Sequence, residues 1–275
     1  MTIAQALAAA AALGLDRLDA QLLLLHALGQ PASQRAWLLA HDGDELAAAD
    51  VQHYQQASAR RTNGEPLAFI VGHKEFFGLE LKVDPRVLVP RPETETLVDW
   101  ALALCHGWAA PRVIDLGTGS GAIALAIKKA CPAAQVEAVD ASPGALEVAA
   151  ANARALALDV AFRLSSWLSG TAASYDLIVT NPPYVAEADP HLRALKHEPL
   201  CALVAGPDGL DAIRAIVVQA PARLKPGGWL LLEHGWNQAE AVRALLRATG
   251  FTVVTSRRDL AGIERCSGGQ RPELG

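Results

Sequence analysis

The stretch Val113-Ile114-Asp115-Leu116-Gly117-Thr118-Gly119-Ser120-Gly121-Ala122-Ile123-Ala124-Leu125 changes character at Gly117. Before it stands a short apolar run of the kind that fills a buried strand; after it, Ala122 to Ala130 read as a helix. The glycines between them allow the backbone to turn tightly and leave no Cβ where a ligand would approach. A strand, a glycine loop and a helix open an α/β unit, and ligands of such sheets sit at the carboxyl ends of the strands.

The alternation continues downstream. Val136 to Asp140 reads as a second strand and Pro143 to Leu156 as a helix, followed by a strand over Tyr175 to Thr180. Helices over Gly209 to Leu224 and Gln238 to Thr249 then alternate with strands over Trp229 to Glu233 and Phe251 to Ser256. This order predicts a mostly parallel sheet covered by helices on both faces.

Upstream, residues 1–64 read as short helices. Thr2 and Gln5 have the spacing of a capping box, Gly14 closes the first helix, and Asp16 caps the second. A third, after Asp42, ends at the breaker pair Asn63-Gly64. Lys74 to Phe77 and Leu79 to Val83 alternate around Gly78 as a hairpin would, and Pro85, Pro90 and Pro92 stiffen the passage into the second half. The expected organisation is a helical domain at 1–64, a hairpin linker at 65–90 and an α/β domain at 91–275.

Composition narrows the class. The chain has 275 residues, 51% of them hydrophobic, and a formal charge of −5. It can bury a core without disulfides or metal, and it is too apolar to be disordered. The acidic balance argues against direct nucleic-acid binding through bulk positive charge. Cys105, Cys131, Cys201 and Cys266 are scattered without metal or disulfide spacing, so buried free thiols and no metal are expected. The first basic residue is Arg17, which leaves no basic signal region. The longest apolar stretch, Ala6 to Leu15, falls short of the roughly 20 residues that span a bilayer. These features predict a cytoplasmic protein with no membrane partner, a monomer by default. Aromatics make up only 5%, yet six of them are Trp.

The glycine loop leaves its nucleotide open. Asp140 ends the second strand nineteen residues after Gly121, where a carboxylate can accept hydrogen bonds from both hydroxyls of a ribose. Gly117, Gly119 and Ala122 also satisfy a loose dinucleotide fingerprint, which NAD would fit equally.

Asn181-Pro182-Pro183-Tyr184 decides between them. It comes directly after the strand that ends at Thr180. Two prolines donate no N–H and fix φ, leaving rigid carbonyls. Such a turn suits a planar –NH2: the Asn181 side-chain oxygen and the Pro182 carbonyl can each take one hydrogen, while Tyr184 stacks on the flat group. An amide or exocyclic nitrogen is a poor nucleophile because its lone pair is delocalised. Fixed acceptors hold it in line and stabilise the positive charge that develops on it. The matching electrophile is the methyl of a sulfonium, S-adenosylmethionine. Hydride transfer has no use for this group.

The sequence resembles the peptide chain release factor glutamine methyltransferases from about Pro66 to Arg265. The resemblance is carried by Pro90-Arg91-Pro92-Glu93-Thr94-Glu95, Asp115 to Gly121, Asn181 to Tyr184, Glu198-Pro199 and Glu233-His234-Gly235-Trp236. It implies a Rossmann-like class I methyltransferase sheet with a small N-terminal helical domain joined by a β-hairpin. The implied substrate is the Gly-Gly-Gln glutamine of class I release factors, methylated on its amide nitrogen. The implied cofactor residues are Gly117, Thr118, Gly119, Ser120, Gly121 and Asp140, with Trp167 flanking the adenine and Asn181 close to both cofactor and substrate. Asn181, Pro182, Pro183 and Tyr184 would hold the glutamine, and the helical domain and hairpin would help dock the release factor. Ser166 stands where the family often carries an acid. Glu93 and Glu95 are expected to cap the helix starting near Thr94 and to shape the cofactor lid, and His234 to be structural.

Other readings remain at this point. A nucleic-acid methyltransferase acting on an exocyclic amine would use the same pocket, and a non-catalytic module could keep the cofactor site. The ending Cys266-Ser267-Gly268-Gly269-Gln270 repeats the expected substrate motif and reads as a coincidence in a flexible tail; the sharper alternative is that Gln270 is methylated weakly in trans or competes for the pocket.

Overall fold

The computed structural model describes residues 1–273. The chain forms two compact units, Met1–His73 and Lys74 onward. The first holds helices α1 (Ile3–Ala12), α2 (Arg17–Ala27), α3 (Arg35–Ala40), α4 (Ala48–Thr62) and α5 (Leu67–Val71). Thr2 and Gln5 complete a reciprocal capping box and Asp16 caps α2 through the Asp19 N–H, as the spacing predicts. Leu23, Leu24 and Leu25 of α2 pack with Ile3, Leu38, Tyr54 and Ile70 into one core. Trp37 lies at its border, stacked on His41 at 4.3 Å.

Strands β1 (His73–Phe76) and β2 (Leu79–Lys82) pair as the expected hairpin. Phe77 and Gly78 both take positive φ, the geometry that matches a two-residue turn to strand twist. Asn152 holds the second strand by bonds to both the N–H and the carbonyl of Lys82.

The second unit is an α/β sheet. Its remaining elements are α6 (Glu95–Cys105), β3 (Arg112–Leu116), α7 (Ala122–Ala130), β4 (Gln135–Asp140), α8 (Pro143–Ala155), β5 (Ala161–Leu164), β6 (Tyr175–Thr180), α9 (Asp211–Gln219), β7 (Leu224–Glu233), α10 (Ala239–Ala248), β8 (Thr252–Arg258) and β9 (Glu264–Gln270). Seven strands run in the order β5-β4-β3-β6-β7-β9-β8. Pairings from β5 through β7 are parallel, and β9 is antiparallel to both its neighbours. The order reverses between β3 and β6, which opens a crevice at their carboxyl ends. The two faces carry separate cores, one around Leu97, Leu125 and Leu177, the other around Ile178, Ile213 and Leu232. Trp100 and Trp229 meet edge to face at 6.2 Å, and Trp108 packs at the border of the first core.

Three expectations are corrected. The ending 264–270 is no flexible tail. It is strand β9, hydrogen-bonded on both sides, with Gly268 and Gly269 buried. A Cβ at Gly268 would stand 2.5 Å from Leu231 Cδ2, and one at Gly269 would stand 2.8 Å from Phe251 Cβ. The glycines are there for packing, and the Gln270 amide is already donated to the Gly227 carbonyl. Helix α6 has no side-chain cap; Glu95 instead accepts the Phe77 N–H at 3.0 Å, pinning the hairpin turn. The cysteines are free as expected, but only Cys105 and Cys266 are buried, while Cys201 is exposed. No helix among the described residues is long and apolar enough to cross a membrane.

Candidate active site

The crevice at the strand ends holds a cavity of about 350 Å³. The loop after β3 forms its floor. Gly117, Gly119 and Gly121 all take positive φ, which side chains rarely tolerate. Gly119 has open space where its Cβ would be, so the cavity reaches the backbone there. Gly121 instead faces Leu125 and Ala149, at 3.0 and 3.3 Å from a virtual Cβ, and lets α7 pack closely. Thr118 and Ser120 also border the cavity. The Thr118 hydroxyl is turned away to donate to Asp115 at 2.7 Å, leaving backbone toward the space.

Asp140 lines the same cavity from the end of β4. Its two oxygens accept the Gly119 and Ser142 N–H groups, each at 2.9 Å. These bonds fix the carboxylate and leave lone pairs on each oxygen. Trp167 forms a wall, held at φ +51. Its ring edge lies 3.3 Å from where a Gly117 Cβ would stand, so a side chain there would crowd the ring. Strain of this kind at a bulky residue gathers at ligand clamps. The exposed Ser166 borders the cavity as well.

The Asn181 to Tyr184 segment leaves β6 beside the loop. Asn181 and Pro183 border the cavity; Pro182 is buried. Asn181 Nδ2 donates to Thr94 Oγ1 at 3.1 Å, while its Oδ1 is buried with no hydrogen-bond partner. A buried orphan acceptor is costly and calls for a donor. Tyr184, expected to stack on the flat group, does not line the cavity; it packs against the core and donates its phenol to Glu233 at 3.2 Å, which supports the segment from behind. Burial and the Glu233 carboxyl push that phenol far up, keeping it protonated. Gln238 bonds the Tyr184 carbonyl, and Val185 pairs with Leu203 and Ala205, which fixes the exit of the turn.

Three residues of the sequence motifs, Thr94, Glu198 and Glu233, gain roles at the site only from the fold. Glu198 is buried and ties down the Pro90 to Glu95 strap, accepting the Val89 N–H at 3.0 Å and pairing with Arg91. His234 is buried between the Gly235 carbonyl and Ser267, and burial lowers its pKa. Trp236, from the same motif, is 69% exposed.

Residues 101–198 match the Methyltransferase small domain family, and residues 2–72 match the PrmC N-terminal domain. Among solved structures, the T. thermophilus 16S rRNA N2 G1207 methyltransferase in complex with AdoMet and guanosine superimposes with a TM-score of 0.56 at 23% identity. It covers 72% of this chain and 49% of that one. The hMettl16 catalytic domain gives 0.58 at 18% identity, over 80% and 85% of the two chains. Together with the sheet order and the glycine loop, these matches define a methyltransferase of the class I S-adenosylmethionine-dependent fold.

Curated relatives refine the class. The release factor glutamine methyltransferase of Bordetella pertussis is 52% identical over 93% of this chain and 95% of its own. That of Xylella fastidiosa (strain Temecula1) is 48% identical over 97% and 98%. The chain belongs to the release factor glutamine methyltransferase family.

Proposed function

We propose that this enzyme transfers a methyl group from S-adenosylmethionine to the side-chain amide nitrogen of the Gly-Gly-Gln glutamine in class I peptide chain release factors. The observation that carries the reading is the buried, unpartnered Asn181 Oδ1 at the cavity wall. It is an acceptor waiting for a donor, and a primary amide brings one.

The cavity's chemistry suits the cofactor. Gly117, Thr118, Gly119, Ser120 and Gly121 provide the backbone cradle, Asp140 the ribose acceptor and Trp167 the flat wall for adenine. The bare backbone at Gly119 admits a ligand to van der Waals distance. Bound there, S-adenosylmethionine supplies an electrophilic methyl on a sulfonium.

The chain's own residues orient the nucleophile. Asn181 Oδ1 and the Pro182 carbonyl each accept one amide hydrogen, holding the nitrogen lone pair in line with the methyl. As the nitrogen becomes positive, both oxygens stabilise it without rearranging. The proton lost after transfer is acidic enough for water to accept. Glu95 is spoken for by the Phe77 N–H. Tyr184 acts by supporting the turn, and Pro183 by keeping it rigid.

The enzyme works as a cytoplasmic monomer in this reading, a compartment that suits four free cysteines. The helical unit offers further protein surface for docking a release factor. Direct nucleic-acid binding is not part of the reading, given the charge of −5. Methyl incorporation into a purified release factor and into RNA, run side by side with labelled S-adenosylmethionine, tests it. Label in the release factor supports the proposal; label in RNA alone replaces it with the exocyclic-amine reading.

A further inference from the structure

The Glu198 side chain is only 2% exposed, and both of its carboxylate oxygens are committed to one distant stretch of chain. Oε2 accepts the Val89 N–H at 3.0 Å, and Oε1 takes the Arg91 guanidinium. Both partners lie in the strap that leads from the hairpin into α6. Val87, Leu88, Pro90 and Arg91 of this strap line the cavity, and so do Pro199 and Ala202, just past Glu198. The carboxylate therefore joins two segments that both border the cavity.

We propose that Glu198 is a positioning residue, a clasp that holds the strap against the segment after the Asn181 to Tyr184 turn and so sets how long S-adenosylmethionine stays in the cavity. The inference rests on the proposed reading of that cavity as the cofactor site.

The strap has three side-chain ties to this part of the chain. Two end on Glu198, and the third is Thr94 Oγ1, which accepts from Asn181 Nδ2 at 3.1 Å. Another ion pair holds the start of the strap, where Arg86 meets Glu147 of α8 at 2.7 Å. Exposure decides which tie matters. The Arg86 and Glu147 side chains are 47% and 71% exposed, and a pair so well solvated contributes little. Glu198 is dry, and a buried carboxylate stripped of its partners is costly, so its bonds resist opening far more.

The clasp is nonetheless built to release. Arg91 keeps 35% of its side chain exposed, so the pair meets water on one side. When the strap lifts, water can solvate both ions. Pro90 and Pro92 flank Arg91 and fix φ on either side, so the strap lifts as a stiff piece.

The test follows labelled S-adenosylmethionine leaving the full chain after dilution into excess unlabelled cofactor. Glu198→Gln leaves one strap donor facing an –NH2 and should speed release about 10- to 100-fold, the scale of one lost charged hydrogen bond. With release factor as substrate, the loss should fall on the KM for S-adenosylmethionine more than on kcat. Glu147→Gln should release cofactor within about threefold of the parent. Hydrogen exchange without cofactor gives a second readout. The strap amides, Val89 among them, should exchange roughly tenfold faster in Glu198→Gln and in Arg91→Gln, while β3 and β6 exchange as in the parent. A direct contact between Arg91 and the cofactor would not move this exchange, so Arg91→Gln decides the matter if Glu198→Gln does not fold. Parental release from Glu198→Gln, parental strap exchange in Arg91→Gln, or acceleration spread evenly over the sheet would overturn the inference. A parent that binds no S-adenosylmethionine would remove the reading of the cavity and this inference with it. A parent that binds it, with an indifferent Glu198→Gln, removes the inference alone.

Discussion

Asn181 Nδ2 donates to Thr94 Oγ1 at 3.1 Å, and this contact commits the nitrogen end of the carboxamide and leaves Oδ1 buried without a partner. In the proposed function, the substrate's amide hydrogen completes the pair. Asn181→Ala should therefore lower turnover by roughly 10²–10³, the usual effect of removing one preorganised transition-state partner. Cofactor affinity should fall less. Steady-state kinetics beside equilibrium cofactor binding separate the two, and an unchanged kcat would refute the role of the side chain.

The glycines of the loop do different work. A methyl group at Gly119 enters open cavity, whereas one at Gly121 meets Leu125 and Ala149. Both substitutions to Ala carry the ~1–2 kcal/mol strain of a left-handed backbone. Gly119→Ala should chiefly weaken cofactor binding; Gly121→Ala should lower the melting temperature further and affect binding less. Calorimetry and thermal melts of both variants check this, and the reverse ranking would contradict it.

Asp115 lies fully buried under the loop. Burial pushes its carboxyl from 3.8 up to about 7, against the pull of the Thr118 hydroxyl and the Ala124 N–H. The folded state thus binds more protons than the unfolded one between these values. Its contribution to stability declines as pH rises from about 4 to about 7, and the full penalty stands above that. Asp115→Asn keeps an acceptor for Thr118 and loses the buried charge. It should be more stable than the parent by about 1–3 kcal/mol near pH 8 and not near pH 4. A stability difference independent of pH would exclude this account.

Gly268 and Gly269 fill space in β9 that no side chain can enter. Gly268→Ala should cost about 1–3 kcal/mol through overpacking against Leu231 and Trp100, read from denaturant unfolding. Gln270 pairs through its backbone with Trp229 and Thr252 and through its side chain with Gly227. Intact mass after incubation with S-adenosylmethionine should show no methyl added to it; modification there would mean that β9 detaches.

Range along the chain separates the features legible in the sequence from those it concealed. The α/β alternation and the Thr2-Gln5 cap depend on neighbours a few residues apart, and both stand. The Gly117 to Gly121 loop and the Asn181 to Tyr184 turn are contiguous stretches, so their places at the ends of β3 and β6 are legible in the sequence. β9 was missed because its glycine-rich composition disfavours a strand; only its position between β7 and β8 makes it one. The partners of the motif were hidden likewise. Thr94 lies 87 positions from Asn181, and Glu233 lies 49 from Tyr184. No local pattern announces such pairs. The Trp residues divide by location too: Trp100 and Trp229 serve the core, while Trp167 is held at the cavity by a glycine that yields to it.

One measurement bears on the central claim most directly. A purified release factor is incubated with this enzyme and S-adenosylmethionine, digested, and its Gly-Gly-Gln peptide sequenced by mass spectrometry. The account predicts a single methyl on the glutamine side-chain nitrogen with the parent enzyme, and little with Asn181→Ala at equal time. An unmodified glutamine with the parent, or equal methylation by Asn181→Ala, would contradict it.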